Sequence, residues 1–145
     1  MQQDRKDDIS FENSLELAIT KAGKTLAGEM DDVAGLLNVT YLQMCAILLI
    51  AHDASTTGQQ IAGQLGVDAA TVSRSLDGLE HQGLLVRSRS VDDRRLINLR
   101  LTRKGGEVAD QARGILSRHS VERFKAFSKA EYFELQRLLR KCLVD

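Results

Sequence analysis

The stretch Thr57–Leu101, TGQQIAGQLGVDAATVSRSLDGLEHQGLLVRSRSVDDRRLINLRL, decides the fold. Thr57 and Gln60 form a T-x-x-Q capping box that opens a helix, with Ile61, Ala62 and Leu65 on its inward side. Gly66 can take the left-handed conformation that stops this helix, and Asp68 can cap another two residues later. Helices joined by so short a glycine-containing turn cross steeply, which is the geometry of a helix-turn-helix. The second helix is expected over about Ala69–Gln82. Its periodicity puts Ala69, Val72, Leu76 and Leu79 on the core face. Ala70, Thr71, Arg74, Asp77 and Gly78 share the outer face, with Ser73 on its flank.

The start of that outer face is small, hydroxylated or basic, which suits a DNA major groove. Small side chains permit close approach, hydroxyls bond phosphates or base edges, and arginine can grip guanine through two hydrogen bonds. An ordinary surface helix with one arginine would read the same way, so the residues that follow weigh between the two. Gly83 ends the helix and Leu84, Leu85 and Val86 begin a strand; Ile97, Leu99 and Leu101 then alternate with Leu96, Asn98 and Arg100, the period of a half-buried partner strand. From Arg87 to Lys104 there are seven basic residues and two acids. An edge hairpin can carry charge merely to resist aggregation. Lysine and glutamate would serve that purpose equally well. Arginines at the tip, beside a candidate recognition helix, favour a wing that reaches phosphates or the minor groove. The candidate DNA contacts are Ala70, Thr71, Ser73, Arg74, Arg87, Arg89, Arg94 and Arg95.

The segment TVSRSLDGLEHQGLLVRSRSVDDRRLINLRLTRKG (Thr71–Gly105) resembles the recognition helix and wing of the MarR family, bacterial winged-helix transcription regulators. The most specific part is Asp93-Arg94-Arg95, followed by alternating apolar residues and Leu101-Thr102-x-x-Gly105. The resemblance implies that Arg94 enters the minor groove from the wing tip and that Asp93 orients the wing through a salt bridge. It implies that Thr71, Ser73 and Arg74 are the recognition-helix contacts. Many relatives have proline just before the wing tip; Ser90 and Val91 stand there instead, which implies a tip that is freer before DNA binds.

The expected fold is mainly α with a small β-hairpin wing: a winged helix-turn-helix lobe over 37–102, an N-terminal dimerisation helix in 1–36 and C-terminal dimerisation helices in 103–145. A helix from Ser10 to about Glu29 carries the stripe Phe11, Leu15, Ala18, Ala22 and Leu26, and Asp31–Gly35 reads as a loop. A capping box at Thr40 and Gln43 opens a helix over about Tyr41–His52 with little polar face, which should lie buried. Thr102 caps a long helix from Arg103 to about Ala126, with Val108, Ala112, Ile115, Leu116 and Phe124 on its apolar side. Ser128 and Glu131 box the last helix, Lys129–Leu143, which carries Tyr132, Leu135, Leu138, Leu139 and Cys142 along one stripe. One chain of 145 residues offers no second layer to cover these stripes, so a two-fold dimer reading an inverted repeat is expected.

Net charge is zero, with twenty basic and twenty acidic residues, which excludes a non-specific coat for polyanions; positive charge gathers in the wing. Residues 1–8 are charged and polar, with no signal peptide, and Met44–Ala51 is too short to span a bilayer; a cytoplasmic protein without membrane contact is expected. Cys45 and Cys142 are the candidates for a redox switch, although free cysteines on apolar stripes usually act as inert small hydrophobes. His52, His81 and His119 lack metal-ligand spacing, and no nucleophile elbow, phosphate loop or nucleotide fingerprint occurs. Neither enzyme nor cofactor nor metal site is expected. The resemblance implies a repressor released by a small aromatic or phenolic effector held between the dimerisation helices and the winged lobe. Tyr41 and His52 flank the buried helix there, and the pocket is otherwise unassigned. The alternatives are a cysteine-based redox regulator and a winged helix used for protein–protein contact with an acidic partner.

Overall fold

The computed structural model describes residues 10–93 and 95–144. After a single 3-10 turn at Phe11–Asn13, the helices are α1 (Leu15–Gly35), α2 (Tyr41–His52), α3 (Gly58–Leu65), α4 (Ala69–His81), α5 (Arg103–Arg123) and α6 (Lys129–Cys142). Between α4 and α5 lies an antiparallel hairpin of β1 (Leu85–Arg89) and β2 (Ile97–Leu101), in the register Leu85↔Leu101 to Arg89↔Ile97. This is the expected mainly helical winged architecture.

The three capping boxes form as the sequence requires. Thr40, Thr57 and Ser128 each accept from the amide three residues on, while Gln43, Gln60 and Glu131 reach back to the cap amides. Gly66 stops α3 in the left-handed region (φ 65°), and Asp68 caps α4 by accepting from the Thr71 amide at 2.8 Å.

The core gathers around α2, whose Met44, Ala46, Ile47 and Ile50 are buried. Ile61 of α3, Val72, Leu76 and Leu79 of α4, Leu85 and Leu99 of the hairpin, and Ala109 and Ala112 of α5 close over it. The buried Gln43 ties α2 to α4: its Oε1 accepts from the Thr40 amide, and its Nε2 donates to the Ser75 carbonyl at 3.3 Å. Gly78 leaves room for that amide, since a Cβ there would stand 2.5 Å from Nε2. Gly78 therefore faces α2 and does not belong to the outer face.

Four further expectations are corrected. The first long helix starts at Leu15, because Ser14 takes an extended conformation and caps it through the Leu17 amide. Asp31–Gly35 is helical and not a loop, because Val33 and Ala34 are drawn into the core. The chain turns only at Asn38, a residue with φ 58°, a conformation asparagine tolerates better than most. Ala69 is exposed at the first turn of α4, leaving Val72, Leu76 and Leu79 as the anchors. Ile97 is 49% exposed despite its inward phase, because the hairpin outruns the body beneath it.

Candidate DNA-binding face

The outer face of α4 is built as a linked polar string. The Thr71 hydroxyl donates to Asp68 Oδ2 at 2.8 Å and accepts from Arg74 Nη2 at 3.3 Å. These bonds hold the Asp68 carboxyl below its ordinary range, the largest cause being the amide of Thr71. Arg74 is thus anchored at one nitrogen. Ala70, Ser73 and Arg74 are exposed and Thr71 is half-buried.

The wing loop organises itself. The Ser90 amide donates to the Leu96 carbonyl at 2.9 Å, and the Ser90 hydroxyl accepts from the amides of Asp92 and Asp93. Asp93 accepts the Arg95 amide on Oδ1 at 3.0 Å, and its carbonyl accepts from Leu96. Asp93 therefore shapes the tip through backbone amides, an Asx turn. Arg94 lies outside the described residues. Arg89 and Arg95 are exposed.

Arg87 is placed differently. Its Nε donates to Glu80 Oε2 at 3.0 Å, and its Nη2 donates to Asp77 Oδ1, so both branches of the guanidinium are engaged by α4. The spacing of Asp77 and Glu80 puts both carboxylates on the edge of α4 that meets β1.

The hairpin root is locked to α5. Thr102 donates its hydroxyl to the Gly83 carbonyl at 2.6 Å, accepts the Gly105 amide at 3.1 Å, and donates its own amide to the Leu84 carbonyl at 3.1 Å. Gly105 is buried against that same Leu84 carbonyl, where a Cβ would stand 2.0 Å from the oxygen.

At the far end, α5 and α6 meet in an aromatic elbow of Phe124, Phe127, Tyr132 and Phe133, with neighbouring rings edge to face at 5.4–5.5 Å. Glu29 of α1 is gripped by α5, 2.7 Å from His119 Nε2 and 2.8 Å from Arg123 Nη2. No residue of α6 is buried. One cleft of about 330 Å³ opens at the end of α2 beside α3, and another of about 380 Å³ at the elbow, where Phe124, Phe127 and Tyr132 stand with Lys125 and Lys129. Tyr41 and His52 sit at opposite ends of α2 and are not brought together; only His52 lines the first cleft.

The cysteines are separated as well. Cys45 is half-buried beside Tyr41, and burial pushes its thiol up from the ordinary value. Tyr41 is pushed up to about 12, chiefly by burial. Cys142 is exposed at the end of α6. Because only the thiolate attacks, alkylation of Cys45 at pH 8 should run slower in the folded protein than in the unfolded chain, read by mass spectrometry of timed iodoacetamide digests. Equal rates would show that burial does not protect it. Among the described residues, no cluster of histidine, cysteine and carboxylate could hold a metal, and no helix is long and apolar enough to cross a membrane.

The family model for MarR matches residues 39–97, which run from the end of the first loop through α2, the helix-turn-helix and most of the wing. Over nearly its whole length the chain is 29% identical to an organic hydroperoxide resistance transcriptional regulator of Bacillus subtilis (strain 168), covering 96% of this chain and 99% of the relative. A MarR-family regulator from Listeria monocytogenes, solved with a 26-mer DNA, superposes with a TM-score of 0.82 at 20% identity, covering 89% of this chain and 86% of that one. CouR of Rhodococcus jostii RHA1, solved with p-coumaroyl-CoA, gives a TM-score of 0.81 at 16% identity, covering 92% and 94%. The likeness to these solved structures is one of fold, the winged helical architecture described above.

Sequence reasoning missed three features of this region. Gln43 was legible as a capping residue, but the spare amide that reaches α4 was not. The carboxylate partners of Arg87 lie seven and ten residues upstream, beyond any local pattern. The tight seat of Gly105 on Leu84 leaves no trace except the glycine itself.

Proposed function

We propose that the protein is a MarR-type transcription regulator, a homodimeric repressor that reads an inverted-repeat operator with α4 in the major groove and the arginine wing in the adjacent minor groove. The observation that carries this reading is the union of two surfaces. Arg74, Thr71, Ser73 and Ala70 look outward from α4, and the Arg87 fork holds β1 beside that helix. Arg89 shares the strand face of Arg87, so it overhangs on the same side. Arg94 and Arg95 complete the wing in this reading, and Asp93 shapes its tip.

Dimerisation is supported by what one copy leaves bare. The chain exposes 11043 Å², against about 7,400 Å² for a compact protein of its mass. That excess is more than the eleven residues outside the described set can contribute. Phe11 in the 3-10 turn and Leu15 at the front of α1 are 70% and 66% exposed, and Leu135, Leu138 and Leu139 form an open stripe on α6. We assign residues 1–36 and 103–145 to pairing and 37–102 to DNA, and propose that the protein works in the cytoplasm. Release by a small aromatic anion is part of the proposal; the elbow cleft combines three rings with two ammonium groups, the chemistry such a ligand needs. The Bacillus relative suggests a hydroperoxide signal instead, but the raised Cys45 thiol argues against that cysteine as the sensor.

Selection of duplexes from a random pool tests the reading. Two half-sites about 10 base pairs apart, centre to centre, should emerge. Arg74→Ala should then cost about 1–3 kcal/mol per half-site and relax the preference at one position of each. Equal affinity for selected and scrambled duplexes would defeat this function and leave an acidic protein partner as the use of the face.

A further inference from the structure

We infer that Arg87 is a positioning residue, a clamp that fixes the pitch of the wing against the recognition helix and shields DNA from two carboxylates, and that it is not itself a DNA contact. The inference rests on the proposed DNA-reading function.

Three observations carry it. First, the fork is already filled: Nε and Nη2 are both committed to Glu80 and Asp77, and the side chain is largely covered, 24% exposed. Among the described wing arginines only Arg87 makes such pairs, whereas Arg89, Arg95 and Arg100 stand exposed. Second, Arg87 sits where the wing leaves the body. Inward-facing Leu85 and its partner Leu101 rest on the core and the Thr102 junction; Arg87 and Leu99 form the next inward pair, with Leu99 buried. One step further out, Arg89 and Ile97 overhang in the open. Arg87 is therefore the outermost inward-facing side chain tethered to α4, and the overhang follows whatever angle it sets. Third, Asp77 and Glu80 belong to a helix proposed to lie against phosphates, and both remain substantially exposed. Paired with Arg87 they leave one net negative charge; unpaired they leave two, directly opposing a polyanion.

A planar guanidinium can bond two carboxylates at fixed angles, whereas a lysine ammonium supplies one point charge on a flexible stem. The clamp therefore depends on arginine as such.

The test uses the full chain in three variants: Arg87→Gln, the pair Asp77→Asn with Glu80→Gln, and Arg87→Lys. Affinity is measured for the selected duplex and for a scrambled one, and amide exchange is followed in the protein without DNA. With a clamp, Arg87→Gln and the carboxylate pair each lower the selected-over-scrambled ratio by about tenfold. They also accelerate exchange of the β1–β2 ladder while the amides of α2 and α5 stay protected. Arg87→Lys recovers only part of either effect. A direct phosphate contact gives the opposite pattern: Arg87→Gln weakens both duplexes equally, and neutralising the carboxylates leaves the ratio and ladder exchange unchanged. That pattern would overturn the inference. Should the wild-type protein prefer no duplex at all, the DNA-reading function falls, and ladder exchange still decides whether the clamp exists.

Discussion

Replacing Gly105 by alanine should destabilise the protein by about 2–4 kcal/mol, while the same change one residue later should do no harm. A Cβ at Gly105 would lie 2.0 Å from the Leu84 carbonyl oxygen and 3.0 Å from its carbon. That obstacle is backbone, and it cannot swing aside. The same carbonyl accepts from the Thr102 amide, so relief would require breaking the junction between the hairpin root and α5. Gly106 has open space where its Cβ would go and no positive φ. Alanine there should be neutral or stabilising by up to about 1 kcal/mol through its better helix propensity. Thermal unfolding should place Gly105→Ala about 10 °C below wild type and Gly106→Ala at or above it. A small, similar shift for both would mean that α5 can slide away from Leu84 at little cost. Opposite signs at adjacent glycines would locate the constraint in packing and exclude a general need for flexibility in the first turn.

The second large effect concerns pairing of two copies. Leu138→Glu combined with Leu139→Glu should leave the protomer folded, because neither side chain enters the core, yet convert a dimer into monomers in sedimentation. Affinity for the selected operator should then fall by about two powers of ten or more, since two linked half-sites bind far more tightly than one. Circular dichroism would show the helices retained. Unchanged mass and affinity would mean that α6 does not form the interface and that another surface covers it.

What was legible in the sequence had a local cause. Thr40, Thr57, Asp68, Thr102 and Ser128 each accept from an amide three residues on, and those spacings can be read directly. The buried stripe of Val72, Leu76 and Leu79 obeys helical period, so the orientation of α4 was readable without knowing its neighbours. The continuation of α1 through Val33 and Ala34 was not, because distant residues draw them into the core. For the same reason the inward phase of Ile97 was correct while its burial was not: alternation reports a direction, and only the length of the body beneath decides whether anything lies there. At the site, Ala70, Thr71, Ser73, Arg74, Arg89 and Arg95 were placed by pattern alone, and their roles stand as proposed. Arg87 was grouped with them because counting charge cannot reveal a carboxylate brought close by the turn at Gly83, where φ is 75°. Cys142 was expected on an apolar stripe, and it lies on a helix that one copy of the chain does not cover.

The Thr102 junction has a mechanical consequence. One hydroxyl joins the carbonyl that closes the turn after α4 to an amide in the first turn of α5, and the Thr102 amide ties in Leu84 at the root of β1. The three elements thus meet at a common axle, with a spoke of 21 residues, about 31 Å, running from it to the aromatic elbow. Swinging the elbow end by about 3 Å tilts that spoke by roughly 6° and carries helix and wing round together, with no hinge between them to absorb the turn. On the proposed function, a molecule lodged at the elbow would need only to wedge the outer end to throw both proposed reading heads out of step.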